Sequence, residues 1–143
     1  MLRPTRILSF TSFGLALAVF YLGCGPNSDG SKLRELERLE AGLPVFPSMA
    51  ERSASKTSKG TIAVISKLYS SDAPYDDIKK FYVTELGQRR WEYIGERLVK
   101  DWGRDLGGYV LTFRSGEYRL SISYSGKNAD YGWDYAVEIV WGS

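Results

Sequence analysis

Apolar residues recur in this chain with two periods, helical in the first half of the mature part and alternating in the second. Leu33, Leu36, Leu39 and Leu43 stand three or four apart with charges between them, which predicts a short amphipathic helix over Lys32 to Ala41, ended by Gly42 and Pro44. A helix this short is marginal alone in water, so it must dock on its own chain, pair with a partner helix, or fray, and docking is the expectation. Ala50 to Gly60 is polar, rich in Ser and Lys, and reads as a loop. Thr61 to Tyr69 is rich in β-branched residues and reads as a strand with Ile62, Val64 and Leu68 on the core face. Ser71 or Asp72 is placed to cap a second helix, Pro74 suits its first turn, and Asp76 and Asp77 sit where the helix dipole favours anions. Tyr75, Ile78, Phe81, Tyr82 and Leu86 form its apolar stripe, which runs to about Gly87 or Gln88 and is the expected heart of the core, with Phe81 buried in it.

Beyond that helix the period is two. Trp91 to Lys100 is a weakly patterned strand, and Asp101 to Gly107 reads as a loop. Tyr109, Leu111 and Phe113 alternate with smaller or polar residues, and Ser115-Gly116 is a two-residue hairpin signal. Tyr118, Leu120, Ile122 and Tyr124 form the cleanest strand, and Trp133, Tyr135, Val137, Ile139 and Trp141 form the last. The order β-α-β-β-β-β predicts an α+β fold: an antiparallel sheet of four to five strands with one main helix packed on one face, plus the short N-terminal helix. Residues 1–23 read as a signal peptide, 24–43 as tether and helix, and 44–143 as a single α+β domain.

The second sheet face is too apolar to be fully wetted. Ala63, Ile65 and Tyr69 are expected there with Val110, Ala136 and Val140, covered in part by the N-terminal helix with Val45 and Phe46, or by another protein. Ile65, Tyr69, Val110, Ala136 and Val140, with Tyr131 from the preceding loop, are therefore the candidate binding surface.

The N-terminus bears on location. Arg3 and Arg6 precede an apolar run from Ile7 to Leu22, and small residues follow, the three-part order of an export signal. That run is short for a membrane-spanning helix, so a retained anchor is the second choice. Tyr21-Leu22-Gly23-Cys24 resembles the lipobox of bacterial lipoproteins through Gly23 and Cys24, and departs from it at Tyr21 and Leu22. The resemblance implies lipidation of Cys24, the sole cysteine, and membrane attachment through an N-terminal lipid. Pro44-Val45-Phe46-Pro47, Tyr69-Ser70-Ser71, Phe81-Tyr82, Leu86 and Trp91 also resemble small bacterial lipoprotein domains of unassigned function, over residues 44–124. There Arg90-Trp91 stands for Gly-Trp, and Ser48-Met49 for Gly-Ala. This second resemblance implies the same fold order and brings no activity.

Composition narrows the chemistry. The chain has 19 Lys+Arg and 17 Asp+Glu, and both basic residues of the signal fall outside the mature part, which is formally neutral. No basic stripe remains for nucleic acid. The absence of histidine removes the commonest general base and zinc ligand. Ser53-Ala54-Ser55-Lys56 matches an S-x-x-K motif without the S-D-N and K-T-G that accompany it in penicillin-recognising enzymes, and reads as a solvated segment. The acidic pairs Asp76/Asp77, Asp101/Asp105 and Asp130/Asp134 read as capping or surface charge, and Asp130-Tyr131-Gly132-Trp133-Asp134 has too few oxygen ligands for a calcium loop. No catalytic residue, metal ligand or cofactor is expected. The reading is a lipid-anchored, extracytoplasmic binding domain of the bacterial cell envelope, with an envelope protein as partner. The alternatives are a small-ligand or glycan-binding module using the aromatic cluster, and an enzyme of unrecognised type.

Overall fold

The computed structural model describes residues 28–101, 104–126 and 131–142; Cys24 and the expected signal segment, residues 1–23, lie outside them. In chain order the helices and strands are α1 (Ser28–Ala41), β1 (Ala50–Lys59), β2 (Ile62–Ser70), α2 (Tyr75–Gln88), β3 (Glu92–Asp101), β4 (Arg104–Ser115), β5 (Tyr118–Tyr124) and β6 (Tyr135–Trp141). The strands form one six-stranded sheet in the order β1-β2-β6-β5-β4-β3, every neighbouring pair antiparallel. The fold is α+β, as the pattern predicts. The sheet is wider than the expected four to five strands, and two helices pack on it where one main helix was expected.

The additional strand is β1, which composition alone reads as a loop. Its residues carry no apolar stripe because almost all of them are exposed. Its conformation comes from pairing instead. Gly60 at φ 61° opens a two-residue turn with Thr61, and Lys59↔Ile62 starts a register that runs to Ala50↔Ser70, interrupted between Glu51 and Ser53. The β4–β5 turn works the same way. It is Gly116-Glu117, one residue later than the expected Ser115-Gly116, with Gly116 at φ 58° and Ser115 paired with Tyr118. In both turns only the first central residue is left-handed, the arrangement that suits the strand twist and demands glycine. The expected loop from Asp101 to Gly107 is largely strand: Asp101 pairs with Arg104 and Lys100 with Asp105.

α2 begins differently from the expected cap. Pro74 itself is the N-cap, its carbonyl accepting from the N–H of Asp77 at 3.1 Å and of Ile78 at 3.3 Å, while the Ser71 hydroxyl accepts from Ala73 N–H at 3.2 Å. The fully buried stripe is Ile78, Tyr82 and Leu86, joined on the core by Leu36 of α1. Phe81 is only partly buried, its ring edge-on to Phe46 at 5.2 Å. Leu33, Leu39 and Leu43 pack beside Leu36, so α1, set apart from residues 44–143 by the sequence reading, shares their core.

The end of α2 carries one backbone anomaly. Trp91 N–H donates back to Leu86 carbonyl at 3.0 Å, which requires Arg90 to stand at φ 64°, in the left-handed region. Glycine occupies that region without a Cβ penalty.

Two outcomes are expected from denaturant unfolding. Arg90→Gly should raise stability by up to about 1 kcal/mol, because a left-handed non-glycine residue costs that much or more; a fall would show that the arginine side chain outweighs its backbone strain. Leu36→Ala should cost about 2–5 kcal/mol, the range for emptying a buried leucine site. A loss below about 1 kcal/mol would mean that α1 is not integral to the core.

Candidate binding surfaces

Both helices lie on the same face of the sheet. Ion pairs anchor α1 there: Glu37 meets Lys56 at 2.7 Å, and Glu40 meets Lys67 at 2.7 Å. Lys56 is the register partner of Ile65 and Lys67 that of Val137, both buried in the core. α2 reaches the same face through Tyr75, whose ring stacks on Tyr109 at 4.7 Å and on Tyr124 at 5.4 Å. Tyr124 stacks in turn on Tyr135 at 5.1 Å. Tyr109, Tyr124, Tyr135 and Tyr69 are successive register partners, so the tyrosine stack crosses the helix side of the sheet.

This register divides the expected binding surface. Ile65 and Tyr69 are buried beneath the helices, whereas Val110, Ala136 and Val140 belong to the opposite face, where neighbouring side chains leave Val110 and Val140 only 7% and 9% exposed and Ala136 half-buried. The expectation that Ile62, Val64 and Leu68 face the core is reversed, and Ala63, Ile65 and Tyr69 take that place. The cause is local: both parities of β2 are apolar, so its own alternation does not choose a face, and the pairing with β6 does. Tyr131 stands before β6, 42% exposed and stacked on Trp133 at 5.3 Å. Cys24 and Asp130 lie outside the described residues.

No helix among the described residues covers the opposite face. One row of register partners crosses its full width as Ser55, Ser66, Glu138, Ser121, Thr112 and Gly95. The rows on either side are apolar towards β2 and β6, where Val64 meets Val140 and Leu68 meets Ala136. Towards β5, β4 and β3 they turn cationic: Arg119 neighbours Val140 and Arg114, and Arg97 neighbours Val110. Arg114 has a long contact with Glu92 at 3.4 Å, and both side chains are well exposed. The face is thus half apolar and half basic, with a carboxylate at Glu138 between the halves and another at Glu92 beside Arg114. Sequence reasoning found Val110, Ala136 and Val140 by parity and missed the arginines, because only the cross-strand register gathers them.

The helix side is pinned at its margins by charge. Lys32 bonds Glu117 and Glu35 and lies over the rings of Trp141 at 5.2 Å and Tyr118 at 5.6 Å. Trp141 donates its indole N–H to Glu117 at 2.6 Å. Lys32 and then the indole hold the Glu117 carboxyl below the usual range, and the Tyr118 hydroxyl and then Lys32 do the same for Glu35. Across the sheet Lys79 at 2.6 Å and the Tyr75 hydroxyl at 2.7 Å lower Glu96. These groups are largely solvated, so each contributes modestly.

A carboxyl with a depressed folded pKa contributes stability that is fully present above its unfolded value, about 4.3 for Glu, and is lost as pH falls through the folded value. Acid should therefore loosen the Lys32–Glu117–Trp141 contact before the core opens, read as a change in tryptophan emission below pH ~4. Glu117→Gln should flatten that early change; an identical acid profile in the variant would show that Glu117 does not hold Trp141. Compared with known proteins, the chain matches no family, no curated protein and no solved structure.

Proposed function

We propose that the chain is a lipid-anchored, non-catalytic binding domain of the bacterial cell envelope, attached through Cys24, whose partner docks on the helix-free face of the sheet. The observation that carries this reading is the one-sided placement of α1 and α2, which leaves a six-stranded face without a covering helix among the described residues. The chemistry of that face suits a protein with an apolar strip for Val64, Leu68 and Ala136 and acidic groups for Arg97, Arg114 and Arg119. Burying the apolar half would supply affinity, and the arginines would set orientation and encounter rate. Anchoring rests on Gly23-Cys24 after the apolar run, and the non-catalytic reading on the absence of histidine. A second reading, a glycan-binding module, is favoured by the exposed Tyr131 stacked on Trp133 at 5.3 Å, a flat aromatic pair of the kind that sugar rings meet.

The test places a photoreactive residue at Ser121, in the centre of the face, and another at Lys80 on α2, in the full chain in its own membranes. Crosslinks to one envelope protein are expected from Ser121 and not from Lys80. Arg97→Glu with Arg119→Glu should reduce them about ten-fold or more without changing the unfolding midpoint. Cys24→Ser should leave an unprocessed precursor that takes up no fatty-acid label. Equal crosslinking from both positions would refute the docking face, and unchanged labelling of the Cys24 variant would refute the anchor.

A further inference from the structure

The two ends of the sheet differ in charge. β2, β3 and β5 finish, and β4, β6 and α2 begin, at the end that carries Asp72, Asp76, Asp77, Asp105 and Asp134, with Arg52, Lys100 and Arg104 among them. The opposite end holds the start of α1, the β1–β2 and β4–β5 turns, the end of β6 and the junction of α2 with β3. Asp29, in α1, is the aspartate of this end. Its glutamates are engaged: Glu117 and Glu35 by Lys32, Glu85 by Arg89 at 2.6 Å, and Glu92 by Arg114 at 3.4 Å. Arg34, Lys59 and Arg90 remain, exposed on three separate segments, and none of them has an ion-pair partner among the described residues. Arg119 continues the positive charge onto the helix-free face.

Apolar groups break the surface at this same end. Ile62 is 42% exposed beside the β1–β2 turn, and the half-buried Trp141 borders a hollow of about 430 Å³ with Thr61, Glu117 and Gly142. An indole with cations around it suits the boundary between membrane and water. Chain geometry brings that boundary close. Cys24 precedes Ser28, the first residue of α1, by four positions, a reach of at most about 14 Å. Lys32 of the same helix start lies over the Trp141 ring at 5.2 Å. β4 has 12 residues and runs roughly 40 Å, so a membrane that holds Cys24 meets the aspartate end only if the domain lies flat.

We propose that the end formed by the β1–β2 turn, the β4–β5 turn and Trp141 sits on an anionic lipid surface, with Ile62 and Trp141 at the level of the headgroups and Arg34, Lys59 and Arg90 against lipid phosphates. This orientation rests on attachment at Cys24, as proposed above. The same surface repels the aspartate end, and the two effects together hold the long axis of the sheet away from the membrane. The helix-free face then stands upright, open to a partner from the side.

The experiment uses the full lipid-modified chain in nanodiscs of phosphatidylcholine and phosphatidylglycerol that carry a trace of gadolinium-chelating lipid, with labelled isoleucine δ1 methyls. Relaxation at Ile62 should be enhanced several-fold more than at Ile78, which lies near the start of α2, beyond the far end of β2 and roughly 30 Å from Ile62. Lys59→Glu with Arg90→Glu, both at exposed positions, should lower that contrast several-fold without moving the unfolding midpoint, and salt at about 0.5 M should do the same for the unaltered chain. Equal enhancement at the two methyls, or stronger enhancement at Ile78, would overturn the orientation and leave the anchor intact. A contrast indifferent to the charge reversal or to salt would overturn the assignment to anionic lipid. A chain that separates from the discs altogether would overturn the anchor, and this orientation with it.

Discussion

β2 and β6 lie side by side from Ala63↔Trp141 to Tyr69↔Tyr135, joining an early strand to the last one and closing the sheet between the β1–β2 hairpin and the β3-to-β6 meander. This pairing decides which half of β2 is inside. A slip of one residue would turn Ile65 and Tyr69 outward and put Val64 and Leu68 under the helices. Hydrophobicity alone discriminates weakly between the two registers, since both sets are apolar. Charge and shape discriminate better. In the observed register Lys67 reaches Glu40 and Glu51 at the edge of the helix side, and Tyr69 falls beside Tyr135 at the end of the tyrosine stack. A slipped strand would set Ser66 before those carboxylates and leave them unpaired. The contact is also long in sequence, so it forms late relative to the local hairpins and carries a large loop-closure cost.

What could be read from the sequence follows from what each segment depends on. α2 and the strands from Tyr109 onward were legible because one face of each packs into the core along its length, as at Leu120 and Ile122 or Val137 and Ile139. The β1 strand was not, because a polar edge strand owes its conformation to Gly60 and to its neighbour, and its own residues carry no trace of a core. The face of β2 was not legible for the same reason in reverse: it is apolar on both sides. The candidate surface was half legible. Parity finds Val110, Ala136 and Val140 without help, but Arg97, Arg114 and Arg119 sit on three different strands and become neighbours only through pairing. A hollow lined by the end of α1, its exit, β2, α2 and β6 is announced by nothing in the linear pattern.

Charge in this protein is distributed by location. Residues 24–143 are formally neutral, so this part of the chain exerts little long-range attraction on any partner class. Locally the signs are sorted. Carboxylates and lysines pair along the margins of the helix side and secure α1 and α2 to the sheet, at Glu37–Lys56, Glu40–Lys67 and Glu96–Lys79. The helix-free face keeps its arginines on one half and its apolar residues on the other. Recognition on such a face is a short-range matter of fit, in which a partner's charge pattern counts for more than its total charge.

A sheet that does not close has two rims, and their unpaired N–H and C=O groups can seed a strand from another molecule. Here β1 and β3 are those rims. β1 carries Arg52, Lys56 and Lys59 along its length and breaks its register beside Glu51; β3 breaks its own register twice, near Gly95 and Lys100. Irregular spacing and clustered positive charge both resist the addition of a flat, matching strand. Fibre-like growth from molecule to molecule is thereby discouraged at both rims.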